Sequence, residues 1–222
     1  MSEEKFFAGR HTAGVTGGLG FAAVFPKADG RVFPLRVTGG KLVGRRLRAP
    51  SGGRVRPSAD RVRESVFATM GPLDGARVLD LYAGSGALGI EALSRGAEHG
   101  VFVERAASPL GTLRRNLAQL GLRDRSSVLR SDVRSAIRQL GRRGECYDLI
   151  LMDPPYASEE AEKAMAAVLE AGILSAGGTL VLEASRHHLP EEVAGLERLD
   201  ARRYGDTVML RFRNCNGCGG AE

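Results

Sequence analysis

The chain has 222 residues, of which 43% are hydrophobic and 26% charged, a composition typical of globular proteins and unlike that of disordered or fibrous chains. Its apolar runs are shorter than the roughly 18 residues that a membrane helix needs, and its start lacks a secretory signal pattern, so we expect a cytoplasmic protein without a membrane partner. Lysine and arginine number 32 against 26 aspartate and glutamate, an excess that favours polyanionic partners.

Composition divides the chain into four segments. Residues 1–34 are rich in glycine and show no helical period, so we expect a weakly ordered extension. Residues 35–70 are strongly basic, with Asp60 as the one acidic residue between positions 31 and 63. Residues 71–213 alternate strand and helix patterns and form the main domain, and residues 214–222 are a polar, flexible tail.

The basic segment at 35–70 contains two kinds of pattern. Residues 35–38 and 41–47 are predicted as two short strands around a turn at Gly39 and Gly40. Residues 58–70 place apolar side chains at helical spacing behind Pro57 and predict a helix. We therefore expect a small β-hairpin and a helix that precede the main domain.

The main domain alternates nearly apolar strands with amphipathic helices. The predicted strands are 77–81, 100–104, 127–130, 147–152 and 179–183, and the helices between them are 87–95, 108–120, 133–140 and 159–171. Residues 196–203 and 207–212 are predicted to close the sheet as a hairpin. This alternation indicates an α/β, Rossmann-like fold with a mostly parallel sheet that helices cover on both faces.

A glycine-rich motif follows the first strand of the main domain. Residues 84–89 read Gly-Ser-Gly-Ala-Leu-Gly between a predicted strand and a predicted helix, and Glu104 follows 20 residues after Gly84. This spacing is typical of a nucleoside held at the carboxyl edge of a sheet, with the acidic side chain on the ribose hydroxyls. A tight turn that needs glycine is the structural alternative.

Asp80 indicates which nucleoside this edge accepts. A carboxylate four residues before Gly84 repels the pyrophosphate of a dinucleotide and attracts a cationic amino acid group. S-adenosylmethionine carries both an ammonium and a sulfonium, so it is the predicted cofactor. Asp132 ends the third strand and is a candidate acceptor for the adenine amine, or a helix N-cap, two roles that are compatible.

The most specific motif is Asp-Pro-Pro-Tyr at 153–156, directly after the apolar strand 147–152. Two prolines stiffen the turn and remove two donors, which leaves the Asp153 carboxylate and the Pro154 carbonyl as acceptors. Accepting both N–H groups of an exocyclic amine orients it for attack on a methyl group, and Tyr156 offers a stacking face for the base. A plain surface turn is the alternative.

Metal and hydrolase sites are not predicted. Cys215 and Cys218 have zinc-like spacing, but no second pair follows them and four ligands are expected. His187 and His188 precede Pro190 in a predicted surface loop, and a Ser-His-Asp arrangement is not evident in the sequence.

With these motifs in place, the chain resembles the class I S-adenosylmethionine-dependent methyltransferases, and more narrowly the RsmD family of bacterial 16S ribosomal RNA guanine-N2 methyltransferases. The resemblance rests on residues 36–47, 56–64, 79–93 and 153–156. It implies a seven-stranded sheet with a reversed last strand, methyl transfer to the 2-amino group of one guanine, and an N-terminal hairpin that helps to hold RNA. It implies nothing for residues 1–34 or for the tail.

These inferences assign three groups of site residues. The catalytic group is Asp153, Pro154 and Tyr156. The cofactor-binding group is Asp80, Ala83, Gly84, Ser85, Gly86, Gly89, Glu104, Asp132 and Val133. The RNA-binding group is Arg36, Lys41, Arg45, Arg46, Arg56, Arg61 and Arg63.

Arg61 and Arg63 lie two residues apart and cannot share a helical face, so one is expected to meet RNA while the other pairs with an acid such as Glu64.

Three other functions remain open at this point. The first is a DNA methyltransferase acting on adenine N6 or cytosine N4, because Asp-Pro-Pro-Tyr suits any exocyclic amine. The second is a nicotinamide-dependent oxidoreductase, which Asp80 disfavours. The third is a non-catalytic RNA-binding assembly factor. We expect a monomer whose partner is 16S rRNA or the small ribosomal subunit.

Overall fold

The computed structural model describes residues 35–49, 57–154, 158–190 and 192–216. In chain order the helices are α1 (Pro57–Phe67), α2 (Ala87–Ser94), α3 (Ala107–Gln119), α4 (Val133–Arg142) and α5 (Ser158–Glu170). The strands are β1 (Arg77–Leu81), β2 (His99–Val103), β3 (Ser126–Leu129), β4 (Tyr147–Met152), β5 (Leu174–Ser185), β6 (Leu196–Tyr204) and β7 (Thr207–Asn214). Within these ranges, no helix is long and apolar enough to cross a membrane.

The seven strands form one sheet in the order β3-β2-β1-β4-β5-β7-β6. Strands β3, β2, β1, β4 and β5 run parallel, whereas β7 is antiparallel to both β5 and β6. The predicted α/β class, the mostly parallel seven-stranded sheet and the reversed last strand are therefore confirmed.

Alternate side chains of each central strand enter different cores. Val78 and Leu149 pack in one cluster with α1, α2 and α3, while Leu79 and Ile150 pack in the other with α4 and α5. Successive side chains of a strand point to opposite faces, so an apolar run such as 147–152 supplies both cores. This two-sided burial explains why the strands read as continuous apolar segments.

Element boundaries agree closely with the sequence analysis, with two exceptions. Helix α1 ends at Phe67 rather than at residue 70, because the chain turns at Gly71, whose φ is 72°. Strand β5 begins at Leu174 rather than at residue 179, and Leu174 pairs with Tyr147 across a register shift. The register shift leaves residues 175–178 out of the ladder with β4, and Gly177 and Gly178 interrupt the apolar pattern there, so the sequence indicated a strand only from residue 179.

The basic N-terminal segment differs from the simple hairpin that we predicted. Arg36 and Arg46 form one antiparallel bridge, and a short 3-10 helix at Gly40–Leu42 replaces the two-residue turn at Gly39 and Gly40. Leu47 N donates to Leu35 O at 2.7 Å. The side chains of Leu35, Val37 and Leu47 are buried in the same core as α2 and α3, so the segment is packed into the fold.

A buried carboxylate joins this segment to the main domain. Glu91 lies in α2 with its side chain fully buried. It accepts hydrogen bonds from Thr38 N at 2.8 Å, Thr38 Oγ1 at 2.7 Å, Arg63 Nε at 3.1 Å and Arg95 Nε at 2.8 Å. One charge therefore ties together the N-terminal segment, α1 and α2.

This cluster corrects the prediction for Arg63. The residue is 1% exposed, and its guanidinium bonds to Glu91, to Asp60 and to the Arg36 carbonyl. It is not an RNA contact, because its donors face the interior. The acids that it meets are Asp60 and Glu91, not Glu64.

We predict that Glu91→Gln lowers the free energy of unfolding by about 3–5 kcal/mol, because it removes the fully buried counter-charge of Arg63 and leaves that buried cation with the part-exposed Asp60 alone. Chemical denaturation measures this loss. Glu159→Gln is the matched control, because Glu159 forms an exposed pair with Lys163 at 3.0 Å and such a pair contributes only about 0.3–0.5 kcal/mol. Equal, small losses for both variants would contradict the structural role of Glu91.

Candidate cofactor and acceptor site

Strand pairing brings the predicted site residues to one edge of the sheet. Leu81 pairs with Val103 on one side and with Met152 on the other. The parallel strands β1, β2 and β4 therefore end level with one another, and the residues that follow them share one edge. This places Glu104 and Asp153 on either side of the turn that follows β1. Asp132, which follows β3, belongs to the same edge, and we call these three residues and Asp80 the acidic edge.

The turn after β1 has left-handed backbone at three positions. Tyr82, Gly84 and Gly86 have φ values of 63°, 55° and 81°. A Cβ added at Gly84 would meet only Tyr82 O, at 3.9 Å, whereas one at Gly89 would lie 2.4 Å from Phe102 Cε1. Gly84 thus leaves open space above the backbone, where a ligand can approach, and Gly89 lets α2 pack closely on the sheet.

Asp80 is the most buried carboxylate of the acidic edge. Its side chain belongs to a residue that is 2% exposed, and its Oδ2 accepts from Gly89 N at 2.9 Å. Burial raises the pKa of Asp80 to about 7, the Gly89 hydrogen bond lowers it, and the nearby Glu104 raises it again. A cationic ligand group beside Asp80 would offset this burial cost.

Glu104 and Asp132 both hold backbone around the turn. The Glu104 carboxylate accepts from Gly84 N at 3.0 Å and from Ala106 N at 2.6 Å. Asp132 caps α4, and its Oδ1 accepts from Arg134 N at 3.1 Å and Ser135 N at 3.3 Å. The N-cap alternative for Asp132 is therefore confirmed.

The remaining predicted cofactor residues lie in the turn after β1 and at the start of α4. Ala83 and Ser85 are buried in the turn, and Val133 is the buried first residue of α4. Together with the acidic edge they suit S-adenosylmethionine: the buried Asp80 carboxylate favours an ammonium, Glu104 offers acceptors for ribose hydroxyls, and the open backbone at Gly84 admits a nucleoside. The same carboxylates repel a pyrophosphate.

The acceptor side of the edge begins at Asp153. This residue follows β4 directly and is 9% exposed, and Pro154 is half-buried beside it. Tyr156 lies outside the described residues, as does Arg56. Asp153 is thus placed at the sheet edge beside the turn after β1.

Two residues that sequence reasoning missed support the turn. Tyr82 donates from its hydroxyl to Glu160 Oε1 in α5 at 3.2 Å, and burial raises the pKa of Tyr82 above its ordinary value, with Glu160 adding to that shift. Asn116 in α3 is 1% exposed. Its Oδ1 accepts from Arg48 N at 2.8 Å, and its Nδ2 donates to Arg48 O at 3.0 Å and Ser85 O at 2.9 Å.

Asn116 therefore joins the basic segment to the glycine turn through backbone atoms on both sides. The sequence contained one sign of this role: Asn116 is a polar residue in the apolar stripe of a predicted helix. Glu91 in α2 shows the same sign. Asn116 lies outside the quoted motifs, and Glu91 lies within residues 79–93 but was given no role there, so spacing alone did not single them out.

The predicted RNA-binding residues divide into exposed and buried ones. Arg36, Lys41, Arg45, Arg46 and Arg61 are exposed, whereas Arg63 is internal. Arg36 Nε also lies 3.8 Å from Asp60 Oδ2. Lys41, Arg45 and Arg46 belong to the segment that Asn116 and Glu91 anchor, so their position relative to the glycine turn is set by buried contacts.

Comparison with known proteins identifies the family. The family model described as "Conserved hypothetical protein 95" matches residues 35–213, which is most of the chain. The chain belongs to this family, the RsmD-type methyltransferases. The resemblance inferred from the motifs is confirmed.

Individual relatives agree with this assignment. The chain is 40% identical over 181 residues to "Putative rRNA methyltransferase YlbH" of Bacillus subtilis, covering 81% of this chain and 98% of the relative. It is 37% identical over 123 residues to "Ribosomal RNA small subunit methyltransferase D" of Escherichia coli, covering 55% of this chain and 60% of the relative.

Solved structures show the same fold. The "Putative methyltransferase yhhF from Escherichia coli" superposes with a TM-score of 0.73 at 28% identity, covering 86% of this chain and 100% of that one. A "putative methyltransferase complexed with SAH" has a TM-score of 0.60 at 18% identity, covering 69% of this chain and 48% of that one. The predicted class I methyltransferase fold is confirmed, and S-adenosylmethionine is the cofactor of this class.

We predict that cofactor affinity rises roughly tenfold between pH 6 and pH 7.5. With a pKa of about 7, Asp80 is mostly neutral at the lower pH and mostly ionised at the higher one, and only the carboxylate attracts the cofactor's ammonium. Calorimetric titration with S-adenosylhomocysteine, which keeps the ammonium, measures this change.

Asp80→Asn is the control, because it removes the titrating group. Its affinity should be weaker and nearly independent of pH over the same range. The variant should also be more stable than the parent at pH 8, since ionisation of a carboxyl with a raised folded-state pKa costs stability as the pH rises. A parent protein with flat affinity would show that Asp80 does not meet the ammonium.

Proposed function

We propose that this protein transfers a methyl group from S-adenosylmethionine to the exocyclic N2 of a guanine in 16S ribosomal RNA. The observation that carries the proposal is the placement of buried Asp153, after β4, beside the turn held by Asp80 and Glu104. These positions would bring an amine acceptor and a cationic donor together at one edge of the sheet. The names of the Escherichia coli and Bacillus subtilis relatives support ribosomal RNA as the substrate.

On the donor side, the chain's own groups bind and orient the cofactor. The Asp80 carboxylate faces the ammonium, the Glu104 carboxylate accepts from the ribose, and Asp132 accepts from the adenine. When bound, S-adenosylmethionine supplies a methyl group on a cationic sulfur, which is an electrophile. The turn from Tyr82 to Gly86 would hold the cofactor against the edge of the sheet.

On the acceptor side, Asp153 and Pro154 orient the amine. The lone pair of a guanine amine is delocalised into the ring, so the nitrogen is a weak nucleophile. Hydrogen bonds from its two N–H groups to the Asp153 carboxylate and the Pro154 carbonyl hold it in line and favour the localised lone pair. As the N–C bond forms and the bond between the methyl group and sulfur breaks, the sulfur becomes neutral and the nitrogen loses one proton, which the Asp153 carboxylate would accept. Positioning supplies most of the rate enhancement.

The basic N-terminal segment holds the RNA. Its exposed Lys41, Arg45 and Arg46 contact phosphates, which position a substrate without reading its sequence. Because Asn116 bonds both Arg48 and Ser85, the distance from this segment to the cofactor turn is constrained. The target guanine must leave its stack to reach Asp153, at a cost of about a few kcal/mol.

A side-by-side methylation assay tests the substrate. Naked 16S rRNA, assembled small subunits and duplex DNA are incubated with labelled S-adenosylmethionine, and the modified nucleoside is identified by mass spectrometry. Label in N2-methylguanine from either RNA substrate is the expected result. Label in N6-methyladenine or N4-methylcytosine of the duplex would indicate a DNA methyltransferase, and RNA binding without label would indicate an assembly factor.

Asp153→Ala should abolish methyl transfer while it changes cofactor affinity by less than about tenfold, because Asp153 acts mainly on the acceptor amine in the transition state. Asp153→Asn keeps one acceptor oxygen and should retain partial activity. Asp124→Ala, at an exposed carboxylate between α3 and β3, is the control and should match the parent. Rates come from single-turnover assays, and affinities from calorimetry. A parallel loss of cofactor binding in Asp153→Ala would contradict the acceptor role.

A further inference from the structure

Helix α4 carries a row of arginines that the proposed function does not use. Arg134, Arg138 and Arg142 are spaced four residues apart, so they lie along one face of the helix, and all three are exposed. From residue 133 to residue 144 the chain contains four arginines and no acidic residue. The row spans about 12 Å along the helix.

The row borders a groove between α4 and α5. Lys163 of α5 lines the opposite wall, and Glu170 is the one acidic residue of the lining. The floor consists of small residues, which are Gly141, Ala166, Ala167 and Ala171. We call Arg134, Arg138, Arg142 and Lys163 the α4 basic track.

The three arginines of the track have no structural ion pair within the described ranges. Arg138 Nη2 donates to Ser135 Oγ at 3.2 Å, and Arg142 Nε donates to the Arg138 carbonyl at 3.3 Å. Other arginines of this protein are paired, such as Arg63 with Glu91 and Arg211 with Asp200. The guanidinium groups of the track are therefore available to an external anion.

The track leads to the acidic edge from the face opposite the basic N-terminal segment. Asp132 caps the N-terminus of α4, and the charge of Arg134 acts on Tyr82 in the turn after β1. Helices α4 and α5 cover one face of the sheet, whereas the N-terminal segment packs on the other. Two basic surfaces thus flank the acidic edge, one on each face.

We propose that the α4 basic track binds RNA phosphates, so that the substrate crosses the acidic edge and is held on both faces of the sheet. This inference rests on the proposed function. Planar guanidinium groups are suited to bidentate phosphate contacts, and a floor of small residues admits a sugar-phosphate backbone. The lining lacks the large aromatic anchors that are typical of protein–protein interfaces, which favours RNA over a protein partner.

The test compares two double variants. Arg138→Gln with Arg142→Gln removes two charges from the track and leaves Arg134, beside the site, intact. Arg198→Gln with Arg203→Gln removes two exposed charges from β6, at the far side of the sheet. Binding to 16S rRNA and to assembled small subunits is measured over a series of salt concentrations, together with KM and kcat for methyl transfer.

The track variant should reduce the slope of log affinity against log salt by about 1.4–1.8, which corresponds to two lost phosphate contacts. Its KM for RNA should rise while kcat at saturating RNA and affinity for S-adenosylhomocysteine stay unchanged. The β6 variant should match the parent. Arg138→Lys with Arg142→Lys should restore the slope, because lysine returns both positive charges, although it lacks the planar guanidinium group.

Each remaining outcome overturns one specific statement. A parental salt slope in the track variant would refute the phosphate contacts. If the track variant bound assembled subunits more weakly but naked RNA as well as the parent does, the track would contact a ribosomal protein instead of RNA. That result would also refute the proposal. A parent protein that neither binds nor methylates RNA would refute the proposed function itself, a result that the variants cannot mimic.

Discussion

The site depends on three parallel strands, β1, β2 and β4, whose carboxyl ends lie side by side at one edge of the sheet. Because Leu81 pairs with both Val103 and Met152, the residues that follow β1, β2 and β4 meet at one edge, and they include Glu104 and Asp153. A slip of one residue in either ladder would turn the strand's apolar side chains toward the wrong core. Val78 is buried on one face of the sheet and Leu79 on the other. Their burial therefore fixes the pairing register of the strands, and with it the positions of the carboxylates.

The basic N-terminal segment is structurally part of the main domain, although composition separates it. Its Leu35 and Val37 share a core with Phe102 of β2, and buried Glu91 bonds Thr38 and Arg63. A segment held this way does not move independently of the cofactor turn. In the proposed function, RNA held by Arg45 or Arg46 would therefore lie at a constrained distance from Asp80, and the segment would position the substrate as well as supply charge.

Sequence patterns predicted the parts of the fold that periodicity controls. Strand β4 and the helix that follows the glycine turn were evident because apolar runs and Gly84–Gly89 have local signatures. The 3-10 helix at Gly40–Leu42 was not, since two glycines are equally compatible with a tight hairpin turn. Arg63 was wrongly assigned to RNA because its charge matched its neighbours, and only tertiary packing shows that it faces Glu91. The bond from Asn116 to Ser85 likewise joins residues 31 positions apart, which no local pattern reveals.

Charge distribution restricts how a polyanion can approach this protein. The acidic edge repels phosphates, and at physiological ionic strength this repulsion extends over about 8 Å. Arg45 and Arg46 on one face and Arg138 and Arg142 on the other attract phosphates on both sides of that edge. An RNA strand therefore lowers its energy by keeping its backbone on the basic flanks and presenting a base, which carries no phosphate charge, to the carboxylates between them. In the proposed function, the four carboxylates that would select a cationic donor would thus also favour a nucleotide that enters base first, so one electrostatic pattern would govern both cofactor choice and substrate geometry.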